Sequence, residues 1–159
     1  MWQGARQVIR VVGLIAIANR RILLTRSKGK DGFYLPGGKV ERGESDRDAL
    51  TREIREELGC DLVRQEIVFH SRYVAQAFGE PEGVLVSMNT YNGKPIGTPL
   101  PRAEIAEARF FTSEEYQQMP SRAPAIDALL SDLRAHAVSN PGAGRRNTCG
   151  VRAYVHSIY

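Results

Sequence analysis

Residues 7–18 form a β-branched and aliphatic stretch, "QVIRVVGLIAIA", which breaks at the polar "NRR" and resumes as "ILLTR". Two apolar runs joined by so short a polar step predict a β-hairpin. In "SKGKDGFYLPGG", four glycines and a proline predict a loop with at most a short extended piece at "FYL". Residues 45 to about 59 read as a helix, capped by Ser45 and closed by a left-handed Gly59. Strand patterns return in "DLVRQEIVFHSRYVAQAF" and "GVLVSMNTY", separated by the turn-prone "GEPEG". A proline-rich surface loop, "NGKPIGTPLPRAE", leads to a strand at "IAEARFF". "TSEEYQQM" then reads as a short helix opening on a capping box, Thr112 to Glu115. A last helix, about 124 to 138, carries Ile126, Leu129, Leu130 and Leu133 at helical spacing.

Strands on both sides of a helix in sequence, with no regular β-α-β alternation, predict a mixed sheet covered by helices, in class α/β or α+β. Residues 1–138 read as one domain. Residues 139–159 read as an appended tail, a basic linker ending in "VRAYVHSIY", which alternates as an edge strand does. Strand addition by that tail predicts a homodimer.

A length of 159 residues suits one compact domain. The formal charge of +4 suits a polyanionic ligand but does not require one. Its distribution says more, because residues 1 to 30 hold Arg6, Arg10, Arg20, Arg21, Arg26, Lys28 and Lys30 with no acid, whereas acids begin at Asp31 and cluster after Glu41. Cys60 and Cys149 stand far apart, in no zinc or disulfide spacing, which predicts a reducing, cytoplasmic setting. The longest apolar run, "VVGLIAIA", is too short to span a bilayer, so no membrane is expected, nor a signal-peptide core in "MWQGARQVIR".

The helix from Ser45 to Gly59 holds the candidate chemistry. At about 100° per residue, with Glu53 at 0°, Glu57 falls near 40° and Glu56 near −60°, so three carboxylates share a face. Leu50, Ile54 and Leu58 form an adjacent apolar stripe at about 60° to 140°. Ala49, near −40°, falls within the acidic face, where its short side chain predicts room for a ligand. Alone, "REIREE" is what a solvated face of alternating charge looks like. Like charges three and four apart nevertheless disfavour a helix, and either basic side chains or a bound cation must offset them. Arg52 and Arg55 project near −100° and 200°, away from the middle of the face, which leaves a divalent cation as the better offset. Carboxylate oxygens without Cys or His favour Mg²⁺ or Mn²⁺ over zinc, completed by substrate phosphates.

The residues around "REIREE" extend the pattern. Gly38, Glu44, Arg52, Glu53, Glu56, Glu57 and Gly59 form G-x5-E-x7-R-E-I-x-E-E-x-G. This segment resembles the signature of the Nudix hydrolases at every specified position, with Cys60 where the family closes on a hydrophobic residue. The resemblance implies the family's α/β/α sandwich with a mixed sheet. It implies hydrolysis of a pyrophosphate bond in a nucleoside diphosphate linked to another group, with Mg²⁺ or Mn²⁺ as cofactor. Residue by residue, Glu53, Glu56 and Glu57 would bind the cations, joined by the Gly37 carbonyl, while Arg52 would orient a glutamate and Glu44 would tie loop to helix. Gly38 would allow close approach of the loop. The general base would be Glu53, or else Glu104 or Glu107 on the later strand.

Lys39 and Arg26 are candidate contacts for substrate phosphates, and Phe33, Tyr34, Tyr73 and Phe78 are candidate stacking groups, although aromatic residues in strands are more often core. Relatives of the MutT type often carry an Asn before the last helix, and none occurs between Thr112 and Leu130. Relatives that cleave ADP-ribose often carry a proline soon after the signature, whereas the first here is Pro81. Free nucleotides, nucleotide sugars and dinucleoside polyphosphates all stay open. The alternative is a non-catalytic Nudix-like regulatory domain, against which the intact glutamates speak. Nucleic acid is not an expected partner, since the basic stretch lacks interleaved aromatics.

Overall fold

In the computed structural model, residues 7–139 are described. The tail from residue 140, with the strand addition expected of it, lies outside the described residues. Nine strands and three helices follow in order: β1 (Val8–Ile15), β2 (Ile17–Ala18), β3 (Arg21–Ser27), β4 (Gly37–Lys39), α1 (Asp46–Leu58), β5 (Asp61–Leu62), β6 (Val68–Gln76), β7 (Leu85–Asn92), β8 (Pro95–Ile96), β9 (Ile105–Phe111), α2 (Ser113–Gln117) and α3 (Pro124–Ser139).

The first apolar run does not form a simple hairpin. It divides at Ala16 between two sheets: β1 joins a four-stranded sheet of order β4-β1-β7-β6, and β2 joins a three-stranded sheet of order β2-β3-β9. The hairpin is the short β2–β3 pair, turned by Asn19 and Arg20, which both take positive φ, at 50° and 61°. That combination matches the twist of the flanking strands. β1 runs parallel to β7 and antiparallel to β4, which makes the first sheet mixed.

Alternation along these strands sends side chains into two cores. Val12, Leu14 and Leu23 pack with Leu50, Ile54 and Leu58 of α1, whereas Ile15, Ile22 and Leu24 pack with Ile126 and Leu129 of α3. Both faces of the central strands are covered, which is why they read as nearly continuous apolar runs. The result is an α/β/α sandwich. Among the described residues, no helix is long and apolar enough to cross a membrane.

Several local expectations change. "DLVRQEIVF" is not continuous strand: β5 is followed by a single 3-10 turn, Arg64–Glu66, before β6 starts. The proline-rich loop contributes the two-residue β8, paired with β5. Ala49 is fully buried among Leu50, Ile54 and Leu58, so its small side chain brings helix and sheet together and leaves no room for a ligand.

The glycine pair predicted as loop is β4, in register with β1 as Val12↔Gly38 and Gly13↔Gly37. Gly37 sits at φ 144°, and a Cβ there would lie 2.1 Å from the Val12 carbonyl oxygen. Only glycine fits between the two strands. Gly37→Ala should therefore lower stability by about 2–4 kcal/mol in chemical denaturation, because neither the backbone angle nor the Val12 carbonyl can yield cheaply.

Candidate active site

Helix α1 is held at both ends as its sequence predicts. The Ser45 side chain accepts from the Asp48 amide, and Gly59 ends the helix in the left-handed conformation while its N–H donates to the Arg55 carbonyl. With the leucine stripe packed on the sheet, Glu57 points inward and is only 6% exposed. Its Oε2 accepts from the Gly37 N–H at 3.0 Å, so the tight β4 pairing supplies the one backbone donor that the buried carboxylate takes. The contact seen for Gly37 is this amide. Glu53 packs its carboxylate onto Gly38, where a Cβ would fall 2.5 Å from Oε1.

Arg52 departs from its projected direction. Its Nε and Nη2 donate to the two oxygens of Glu44 at 2.7 and 3.0 Å, while Nη1 reaches Glu53 Oε1 at 2.8 Å and Glu56 Oε2 at 3.4 Å. Nη2 also donates to the Lys39 carbonyl at 3.2 Å. A basic side chain thus does reach the acidic face, because a long guanidinium stem can swing back over the helix surface. Glu44 in turn accepts from the Glu41 amide at 3.0 Å, which ties the loop to the helix. The Arg52 bond holds the Glu44 carboxyl below the usual carboxylate range.

A third carboxylate arrives from outside the helix. Lys28 donates its N–H to the Glu104 carbonyl, and the Arg102 N–H donates to the carbonyl of Glu57, both at 2.8 Å. Between them Ala103 takes a positive φ of 49°. This turn presents an exposed Glu104 beside the helix, and oxygens of Glu53, Glu57 and Glu104 lie within 4.8 Å of one another. Burial pushes the Glu57 carboxyl up to about 8, with the charges of Glu53, Glu104 and Glu56 adding to the effect. Burial also raises Glu53, against the pull of Arg52. Among the described residues, no Lys, Arg or His forms an ion pair with Glu57 or Glu104. Three hard oxygen donors with mutual repulsion can hold a divalent cation.

The remaining candidates fall elsewhere. Glu56 is exposed on the rim, and Lys39 is exposed beside it. Glu107 is outside the cluster, facing Arg26 across β3 and β9 at 3.2 Å. Arg26 is occupied by that pair, by the Lys30 carbonyl and by the Phe33 ring, 5.8 Å from its guanidinium. Of the four aromatic candidates, Phe33 and Tyr73 are core, Tyr73 donating to a buried Asp132 at 2.9 Å. Tyr34 and Phe78 instead line a cavity of about 260 Å³ that Gly37, Gly38 and Glu57 also line. Val86, Met88, Ala125 and Ile126 form its apolar walls. Gln76 also lines it, a residue that no sequence pattern singled out.

Residues 8–133 match the family model of the NUDIX domain. Among curated proteins, the chain is 31% identical over 139 residues to the CTP pyrophosphohydrolase of Escherichia coli strain K12, covering 85% of this chain and 98% of that one. It is 29% identical over 115 residues to the 8-oxo-dGTP diphosphatase of the same organism, covering 56% and 89%. Among solved structures, the solution structure of the E. coli ORF135 protein matches with a TM-score of 0.68 and 29% identity, covering 90% of this chain and all of that one. A MutT NUDIX hydrolase from Burkholderia pseudomallei shares the fold, with a TM-score of 0.64 at 24% identity over 79% of this chain and 97% of that one. The family match over most of the length, joined to a relative matched nearly end to end, shows that the chain belongs to the NUDIX domain family and is a Nudix hydrolase.

Proposed function

We propose that this hydrolase cleaves a pyrophosphate bond in a nucleoside diphosphate derivative, with Mg²⁺ or Mn²⁺ held by Glu53, Glu57 and Glu104 and with Glu56 on the rim. The observation that carries the reading is the meeting of those three carboxylates, of which Glu57 also lines the apolar cavity. The cavity has the character of a nucleoside site and the carboxylates that of a diphosphate–metal site. Nucleoside triphosphates are the first substrates to examine, because the relative matched over nearly its whole length is named a CTP pyrophosphohydrolase.

A divalent cation held by these glutamates would offset the diphosphate charge and make the attacking water more acidic. The chain's own residues do the rest. Arg52 fixes Glu53 and leaves its other oxygen free, the Gly37 amide fixes Glu57, and exposed Glu104 faces solvent. Of the glutamates weighed as general base, Glu104 is favoured: Glu53 would have one oxygen on Arg52 and the other on the cation, Glu107 is engaged by Arg26, and exposed Glu104 would keep its second oxygen for the proton. A regulatory role without catalysis gains no support from a cluster so complete.

Glu53→Gln and Glu57→Gln should each reduce Mg²⁺-dependent turnover of nucleoside triphosphates by at least about a hundredfold without unfolding the chain. Glu104→Gln should lower kcat with little change in KM. Retained turnover in both helix variants would contradict the metal assignment.

Glu57 also links metal, proton and stability. Its folded carboxyl titrates near 8, so between the ordinary glutamate value and about 8 the folded chain keeps a proton that the unfolded chain has lost. Stability without metal must therefore fall as pH rises through that window. In EDTA, Tm should drop by several degrees between pH 5.5 and 8.5 in the wild type. Glu57→Gln keeps an acceptor for the Gly37 amide but cannot ionise, and should show a smaller drop. Mg²⁺ should restore the wild-type Tm at pH 8.5 and not that of the variant. Equal pH dependence in the two proteins would rule the linkage out.

A further inference from the structure

The loop between β6 and β7 is wound around one side chain. Gln76 Nε2 donates to the Pro81 carbonyl at 2.9 Å, with longer contacts to Ala77 and Glu80 carbonyls at 3.3 and 3.4 Å, and its Oε1 accepts from the Gly83 N–H at 3.0 Å. The Ala77 N–H closes the base of the loop on the Val84 carbonyl at 2.9 Å. Gly79 and Gly83, at φ 78° and 90°, allow so tight a path. Every polar atom of the Gln76 side chain is spent on the loop, although the residue lines the cavity.

What the loop carries is Phe78. This ring lies on the bare backbone of Gly32, where a Cβ would fall 2.8 Å from its Cε1, and it tilts at 57° to Tyr34 with ring centroids 5.9 Å apart. It remains 37% exposed. A large ring left partly open on an apolar cavity, which Glu57 of the carboxylate cluster also lines, offers a planar group a stacking surface.

We infer that Phe78 is the wall against which the substrate's nucleobase stacks, and that Gln76 is a positioning residue that sets base preference without touching the base. The inference rests on the proposed function, because it takes the cavity to hold the nucleoside. The apolar walls recognise a flat, uncharged ring by shape and stacking. Hydrogen bonding from Gln76 to the base is not part of the account, since its carboxamide is already committed.

The test is steady-state hydrolysis by the full chain with Mg²⁺, using CTP, UTP, ATP, GTP and base-free inorganic tripolyphosphate. Phe78→Leu should raise KM for the preferred nucleotide about tenfold while kcat falls far less, and Phe78→Trp should recover most of the loss. Gln76→Met, similar in length but without the four contacts, should raise KM likewise and narrow the spread among the four bases. Gly32→Ala displaces Phe78 from outside the loop and should do the same, which keeps the test open if the Gln76 variant does not fold. Unchanged KM values and base order in these variants, with the wild type active on nucleotides, would overturn the inference and leave the proposed function standing. Equal wild-type turnover of tripolyphosphate would also overturn it. A wild type that cleaves no nucleotide would defeat the proposed function and this inference together.

Discussion

Glu57 is a carboxylate almost without access to water, with two other carboxylates close beside it and a single amide hydrogen bond in support. Such a group is costly to ionise. Much of the local architecture follows from placing it there. The leucine stripe of α1 pulls that helix face onto the sheet, β4 passes close enough to β1 to aim the Gly37 amide, and the turn at Ala103 brings in Glu104. A fold that concentrates carboxylates in this way would gain stability from a cation bound among them.

Arg52 sets the limit of that repulsion. By joining Glu44, Glu53 and Glu56 it keeps the loop fixed to α1 and steadies Glu53, while Glu57 and Glu104 have no such partner among the described residues. The division separates carboxylates that hold the structure from those that remain available. It also explains how loop, helix and the distant β9 approach can share one site, since each is tied to the next by a charge-assisted or backbone hydrogen bond.

Much of the site was legible because its chemistry is local in sequence. Ser45, Gly59 and the leucine spacing define α1, and seven fixed residues from Gly38 to Gly59 define the family. Asn19 and Arg20 mark the tight turn because few other reasons place polar residues between two aliphatic runs. What escaped was set by tertiary packing. Gly37 and Gly38 have poor strand propensity, and only the Val12 carbonyl beside them shows why they form β4. Angular projection tracks Cα positions, so it misplaced Ala49, whose burial depends on the sheet beneath, and Arg52, whose stem is long enough to leave its own direction. The cavity could not be read at all, since its walls come from residues as far apart as Val11 and Ile126.

The central claim is that Glu53, Glu57 and Glu104 together bind a divalent cation. Its most direct test is the anomalous difference map of a crystal soaked in Mn²⁺ at pH 8. The account predicts a peak within about 2.0–2.6 Å of oxygens from all three residues. A saturating soak that leaves no peak between them, or that places the ion on other residues, would contradict it.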